Sequence, residues 1–188
     1  MKKIVILFSG EGKNLHNIIE KLHPNMCQVV CAITNKADAK GLEGLDAKYL
    51  MGIKSEVLEH TGFSSREAYD TELVKLIQSY EADLIVLAGF MRILTPIFTK
   101  NIKAINLHPS LLPKHKGANA IEESFSSEDK EGGISVHWVS EELDGGEVIA
   151  QKSFLKSEDE TLESFTCKIK ELEYELLPET ITKILYKL

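Results

Sequence analysis

The sequence predicts an α/β fold: a mostly parallel sheet with helices on both faces and an antiparallel hairpin near the C-terminus. Residues 4–8 form an apolar run rich in β-branched side chains, which suits a strand covered on both faces. Four apolar residues from Leu15 to Leu22 then follow at helical spacing. Further along, two strand-like runs flank an Asp144-Gly145 turn signal. Strands that alternate with helices and end in a hairpin predict this architecture.

The remaining elements have local signals of their own. Apolar runs predict further strands at residues 28–34, 53–58, 82–89, 102–105, 133–139 and 148–154. Helical patterns lie at residues 41–51, 64–80 and 117–125, in a short segment from residue 96, and at residues 161–188. Because proline lacks an N–H, we expect Pro178 to interrupt the last helix or to begin a second one.

Composition and charge limit the classes of function. The chain has 188 residues, 43% of them hydrophobic, and a net charge of −7. This length suits one domain over residues 1–188, and the acidic balance argues against a nucleic-acid binder. The first apolar run stops at Ser9, too short for a signal peptide or a membrane span. Cys27, Cys31 and Cys167 form no Cys-x-x-Cys pair, so we expect free thiols and a cytoplasmic protein.

The strongest candidate chemistry lies at residues 106–113, which read Asn-Leu-His-Pro-Ser-Leu-Leu-Pro. A strand-like run leads into them, and ligands bind at the carboxyl ends of strands in open α/β sheets. The Asn106 amide and a protonated His108 ring would each donate a hydrogen bond, which suits a negative charge developing on oxygen. Alternatively, His108 caps a strand and Asn106 satisfies a turn.

A glycine turn after the first strand predicts an anion site. Residues 9–14 read Ser-Gly-Glu-Gly-Lys-Asn and open a helix, so backbone N–H groups and the helix N-terminus face outward together. A dinucleotide site is disfavoured, because Leu15 takes the place of its third glycine and the next strand ends in Asn35-Lys36. A monophosphate is the favoured ligand, and a plain tight turn is the alternative.

Other candidate site residues have a purely structural interpretation when each is considered without the rest of the chain. Arg66 begins a helix, where the dipole disfavours a cation, so it is either a solvated residue or a ligand contact. The large apolar residues within 90–94 either line a pocket for a flat ring or belong to the core. We interpret His137 as a packed or surface strand residue rather than a catalyst. Asp144 read alone is a turn residue.

Six motifs stand in order along nearly the whole chain, at residues 9–15, 35–42, 65–70, 87–94, 106–113 and 143–146. They include Ser-Gly-x-Gly-x-Asn-Leu, Phe-Met-Arg-Ile-Leu and Leu-Asp-Gly-Gly. Together they resemble the phosphoribosylglycinamide formyltransferase family, the folate-dependent transformylases of purine synthesis. The resemblance implies the formyltransferase fold, a Rossmann-like twisted sheet. Its Asn-x-His-Pro-Ser-Leu-Leu-Pro block is shared by several formyltransferases, whereas the first two motifs quoted are more specific.

The resemblance also implies a reaction. The formyl group of the co-substrate 10-formyltetrahydrofolate passes to the amine of glycinamide ribonucleotide, with no metal. Attack of the amine produces a tetrahedral oxyanion, which Asn106 and protonated His108 would stabilise. His108 would then donate a proton to the leaving nitrogen, and a nearby Asp144 would favour the charged form of its ring.

The ligand-binding residues that the resemblance implies fall into two sets. The ribonucleotide and its phosphate would contact Gly12, Lys13, Asn14, Lys170 and Glu173. The folate would contact Arg66, Met91, Arg92, Ile93, Leu94, Asn106, Ser140, Glu141, Glu142, Leu143 and Asp144. We expect these small molecules as the only partners, with neither nucleic acid nor membrane, and a monomer or weak homodimer.

The chain departs from the family at Lys13, where serine is usual, at His115, where Phe or Tyr is usual, and at Ile121, where many members have histidine. Two rival enzymes share motifs with it. Methionyl-tRNA formyltransferases add an RNA-binding domain, and formyltetrahydrofolate hydrolases add an N-terminal regulatory domain. We expect neither in an acidic chain of this length. A rival from another class is a sugar-phosphate binding module without catalytic activity. Such a module would tolerate loss of the three residues proposed for catalysis, yet all three are present.

Overall fold

A seven-stranded sheet in the order β3-β2-β1-β4-β5-β6-β7 forms the centre of the protein. The computed structural model describes residues 1–45 and 52–188. Its strands are β1 (Lys3–Phe8), β2 (Gln28–Thr34), β3 (Lys54–Val57), β4 (Leu84–Leu87), β5 (Ala104–His108), β6 (Glu131–Trp138) and β7 (Val148–Leu155). The α-helices in these ranges are α1 (Lys13–Leu22), α2 (Arg66–Ser79), α3 (Pro96–Asn101), α4 (Ala120–Ser126) and α5 (Leu162–Leu185).

The pairing of the strands confirms the predicted fold class. β1 to β5 pair in parallel, whereas β6 runs antiparallel to β5 and β7 antiparallel to β6. The strand order reverses between β1 and β4, which is where open α/β sheets form their ligand crevice. At the carboxyl end of this pair, the Ser9 N–H donates to the Gly89 carbonyl oxygen at 3.0 Å.

Both faces of the sheet are covered, as the apolar run of β1 predicts. Its alternate side chains enter two separate clusters. Ile6 packs with α1 and α5 on one face, and Leu7 packs with α2 and α3 on the other. Fully apolar central strands follow from this double burial. The strands whose carboxyl ends carry the site, β4 and β5, are therefore buried on both faces.

The expected break at Pro178 is wrong, because α5 continues through it as one helix. Proline cannot donate to the carbonyl of Tyr174, four residues earlier. That oxygen instead accepts from Asn17 Nδ2 at 3.0 Å and from Lys21 Nζ at 2.6 Å. Side chains of α1 thus replace the missing hydrogen bond and attach α5 to α1.

The helix predicted over residues 41–51 lies largely outside the described residues, which resume at residue 52. A short 3₁₀ turn, Lys40–Leu42, precedes that gap. A second 3₁₀ turn, His60–Gly62, leads towards α2. The Ser65 hydroxyl caps α2 by accepting from the Ala68 N–H at 3.1 Å.

Candidate active site

A cavity of about 640 Å³ opens beside the carboxyl ends of β4 and β5. Its wall includes residues 89–94 after β4, residues 106–109 around the end of β5, and residues 139–144 after β6. Asn14 and Glu173 complete this part of the wall. The cavity therefore lies at the strand ends at which the topology favours ligand binding.

The three residues proposed for catalysis come together in this cavity. His108 ends β5 and is 4% exposed, and the Asp144 side chain is 7% exposed. His108 Nδ1 lies 3.4 Å from Asp144 Oδ2, which also accepts from the Gly117 N–H at 2.9 Å. Asn106 lies two residues before His108 and lines the same wall. An amide, an imidazole and a carboxylate thus converge on one space.

The electrostatics favour an ionised Asp144. Burial alone would raise the pKa of its carboxyl, but contacts with His137 and the Gly117 N–H and the charge of His108 outweigh it. The pKa of Asp144 therefore lies below its usual value. An ionised carboxylate beside His108 is the arrangement expected for a group that stabilises a protonated ring.

His137 is a residue of the site that the sequence interpretation missed. It is packed on β6, as expected, and only 2% exposed. However, Asn106 Nδ2 lies 3.2 Å from His137 Nε2, while His137 Nδ1 lies 2.9 Å from the Trp138 carbonyl oxygen. A carbonyl only accepts, so Nδ1 carries a proton. Nε2 also lies 3.6 Å from Asp144 Oδ1. It can accept from the Asn106 amide when the ring is neutral and donate to the carboxylate when the ring is charged. The antiparallel register that places His137 opposite Asn106 is the signal that could have found it.

The glycine turn builds the N-terminus of α1 as predicted. Gly12 has φ 68°, and a Cβ there would stand 2.5 Å from the Gly41 Cα, so only glycine fits. Lys13 begins the helix, and its Nζ pairs with Glu11 at 2.7 Å. The backbone donors of the turn are compatible with the Lys13 departure, because they do not depend on the side chain at that position.

Asn14 and Glu173 join α1 to α5 at the cavity wall. Asn14 Nδ2 donates to Glu173 Oε2 at 2.9 Å. Burial raises the pKa of Glu173, against the opposing effects of the Asn14 hydrogen bond and the charge of Lys170. A half-buried carboxylate with an amide partner suits recognition of hydroxyl groups.

The segment after β4 forms an apolar part of the wall. Met91 and Ile93 are 64% and 54% exposed, so the alternative that places them in the core is wrong. Leu143 is also exposed and lines the same cavity. Arg92 lies over the Tyr69 ring, 4.3 Å from its centroid. Exposed apolar side chains around a cavity are typical of a ligand site.

Not every predicted ligand residue reaches the wall. Arg92, Leu94, Ser140, Glu141 and Glu142 line the cavity with those already described. Among the described residues, Gly12, Lys13, Arg66 and Lys170 lie outside its wall. Arg66 is the exposed first residue of α2.

The other two residues that depart from the family pattern make contacts within the fold. His115 Nε2 lies 3.1 Å from Asp129 Oδ2, and Ile121 packs against the core.

Comparison with known proteins identifies the class: the chain belongs to the formyl transferase family, which it matches over residues 2–181. It is 40% identical over 185 residues to the phosphoribosylglycinamide formyltransferase of Haemophilus influenzae, covering 96% of this chain and 86% of that protein. It is 36% identical over 183 residues to the trifunctional purine biosynthetic protein adenosine-3 of Gallus gallus, covering 95% of this chain and 18% of that protein.

The fold is similar to that of solved members of the family. The crystal structure of phosphoribosylglycinamide formyltransferase from Campylobacter jejuni superimposes with a TM-score of 0.93 at 50% identity, covering 98% of this chain and 97% of that one. The resemblance expected from the six motifs is confirmed, and the chain is a formyltransferase. Within residues 1–45 and 52–188, we find no helix with the length and apolar character to cross a bilayer.

Proposed function

We propose that residues 1–188 form a single formyltransferase domain that acts in the cytoplasm in de novo purine biosynthesis. It transfers the formyl group of 10-formyltetrahydrofolate to the amine of 5-phosphoribosylglycinamide. The observation that supports this most directly is the convergence of Asn106, His108 and Asp144 on one cavity, with His108 Nδ1 3.4 Å from Asp144. The proposal needs neither a metal nor a macromolecular partner, and it is compatible with a monomer or weak homodimer.

The chemistry is direct transfer. The amine lone pair attacks the formyl carbon, and the carbonyl electrons move onto oxygen. The second Asn106 amide hydrogen and the protonated His108 ring stabilise that oxyanion, because the first amide hydrogen points to His137. Collapse reforms the carbonyl and breaks the bond to the folate nitrogen, which takes a proton from His108. The attacking amine gives its own proton to the nitrogen that His108 has vacated, directly or through water, which restores the protonated ring beside the Asp144 carboxylate.

The wall provides a place for each ligand. Its apolar part, which includes Met91, Ile93 and Leu143, suits the flat pterin of the folate. Asn14 and Glu173 suit the ribose hydroxyls, next to the N-terminus of α1.

Four residues remain predictions in this proposal because they lie outside the described wall. Gly12 and Lys13 would bind the phosphate from the N-terminus of α1. Arg66 and Lys170 would reach their ligands from the surface.

The test is an assay of the purified protein with a 10-formyl folate, with and without the ribonucleotide. We expect deformylated folate, measured by absorbance, only when the ribonucleotide is present. Equal turnover without it would contradict the proposal and indicate a hydrolase. Absence of turnover in folded protein would indicate a different formyl acceptor. The assay would then be repeated with methionyl-tRNA and with small amines in place of the ribonucleotide.

A further inference from the structure

The two ring nitrogens of His108 have different partners. Nε2 lies 2.8 Å from the main-chain oxygen of His115, and Nδ1 lies 3.4 Å from Asp144 Oδ2. Both partners only accept, so each nitrogen of the charged ring has a hydrogen directed at an acceptor. The contact of Nε2 is the shorter of the two, and we therefore expect Nε2 to keep its hydrogen when the ring becomes neutral. Asp144 lines the cavity, whereas His115 lies outside its described wall. Nδ1 is therefore the nitrogen that faces the reaction.

A buried hydroxyl holds the turn whose carbonyl fixes this ring. Ser110 is 0% exposed, and the single hydrogen of its hydroxyl is shared between the Lys114 oxygen at 2.7 Å and the His115 oxygen at 3.1 Å. His115 has φ 53°, a left-handed conformation that a residue with a side chain rarely adopts. Its side chain is anchored on Asp129. The turn is thus held in a strained conformation that aims one carbonyl at His108.

We propose that Ser110 is a positioning residue: its hydroxyl fixes the turn of Lys114 and His115, the His115 carbonyl retains the hydrogen on Nε2, and Nδ1 thereby becomes the atom that gives its proton to the substrate. The proton step rests on the proposed function, whereas the orientation of the ring does not. Two titratable groups face the ring from neighbouring elements, the Asp144 carboxylate and the His137 imidazole, whose ring centroid lies 6.5 Å away. This geometry gives Ser110 a role without making it a nucleophile.

The first test is the tautomer of His108 in the unaltered protein, read from the ¹⁵N shifts of its ring. The chain has six histidines, so comparison with His108→Gln assigns the signal. In the neutral ring we expect Nε2 protonated and Nδ1 bare, with Nδ1 gaining its proton as the pH falls. The opposite tautomer would overturn the proposal. This measurement does not depend on formyl transfer. The opposite tautomer would therefore contradict the role of Ser110 without contradicting the proposed function.

The second test is Ser110→Ala, with Ser124→Ala as the matched control. Ser124 is 2% exposed but lies on α4, outside the described cavity wall. We expect Ser110→Ala to lower kcat about 10- to 100-fold, by analogy with the loss of a residue that orients a metal-bound imidazole, with KM for the ribonucleotide unchanged. The ring would also populate both tautomers, and the alkaline limb of the pH profile would move to lower pH.

The outcomes separate a positioning role from a structural one. A fall in kcat with an unchanged pH profile and tautomer would overturn the proposal, and so would full activity. The control should leave the tautomer and kcat unchanged. If Ser110→Ala does not fold, the tautomer of the unaltered protein still decides.

Discussion

At the scale of single residues, the site depends on side chains whose neighbours come from distant parts of the chain. His108 lies on β5, but Asp144 and Gly117 complete its surroundings. The sequence predicted the three catalytic candidates because each belongs to a recognisable motif. It could not predict the Asn106–His137 contact, because that contact depends on the register between β5 and β6. Motifs identify residue types, whereas pairing decides which of them touch.

His108→Ala tests the proposed proton donor directly. We expect kcat to fall by about 10²- to 10⁴-fold, the usual contribution of a general acid, with ribonucleotide affinity largely retained. Steady-state kinetics and calorimetric binding of the ribonucleotide measure the two effects separately. His60→Ala, on an exposed 3₁₀ turn, is the control and should behave as the original protein. Turnover within a few-fold of the original would refute the assignment.

Asp144→Asn tests the electrostatics of the buried carboxylate. Asp144 has φ 50°, which asparagine tolerates, so the change removes charge without straining the backbone. Its pKa in the folded protein lies below the usual value of 3.8, so ionisation stabilises the fold above that pH, and this contribution is lost as the pH falls through the folded pKa. We expect the Tm deficit of the variant to be greatest near neutral pH and to shrink on acidification. Asp159→Asn should show no such trend.

Glu173→Gln should have opposite effects on stability and binding. The pKa of Glu173 is raised by burial, so the folded protein loses stability as the pH rises from the unfolded pKa of 4.5 to the folded one. Above that window the ionised group remains unfavourable. The variant should therefore have a higher Tm at pH 7, no gain at pH 4, and weaker ribonucleotide binding. Glu171→Gln, exposed on the same helix, should change neither, and a lower Tm at pH 7 for Glu173→Gln would count against the argument.

At the scale of elements, periodicity predicted most strands and helices, because burial sets the apolar spacing. It failed where one element compensates for another. Pro178 carries a local signal for a break, and only the contact of α5 with Asn17 and Lys21 explains why the helix continues. Similarly, no local rule distinguishes the buried Phe90 from the exposed Met91 beside it, because the cavity edge decides which side chain is covered.

Lys21→Met tests the compensation at Pro178. Asn17 still donates to the Tyr174 carbonyl, so we expect a loss of roughly 0.5–1 kcal/mol in the free energy of unfolding, towards the low end for a hydrogen bond. Adding Asn17→Ala leaves that carbonyl with neither donor, so the double variant should lose more than the sum of the single variants. Urea denaturation measures both, and Lys36→Met is the exposed control. Strict additivity would show that the two donors act independently.

At the scale of the whole molecule, parallel strands and a C-terminal hairpin bring residues from both halves of the chain to one end of the sheet, at the carboxyl ends of β4 and β5. The alternation of strands and helices in the sequence is sufficient to predict that architecture. A connection between parallel strands must pass over a face of the sheet, and a helix usually forms it. The size and shape of the cavity were not predictable, since they follow from how segments 89–94 and 139–144 bend away from the sheet. The overall fold is therefore encoded locally, and the binding surface is not.

The attachment of α5 to α1 has a consequence for the opening of the C-terminal helix. A ligand seated on Asn14 and Glu173 would hold both helices together, next to the turn whose missing hydrogen bond α1 supplies. Local unfolding of α5 would then require release of the ligand as well. Backbone amides near residues 170–177 should therefore exchange with deuterium more slowly in the presence of the ribonucleotide than in the presence of the folate alone. Equal protection by the two ligands would show that the ribonucleotide does not join the helices.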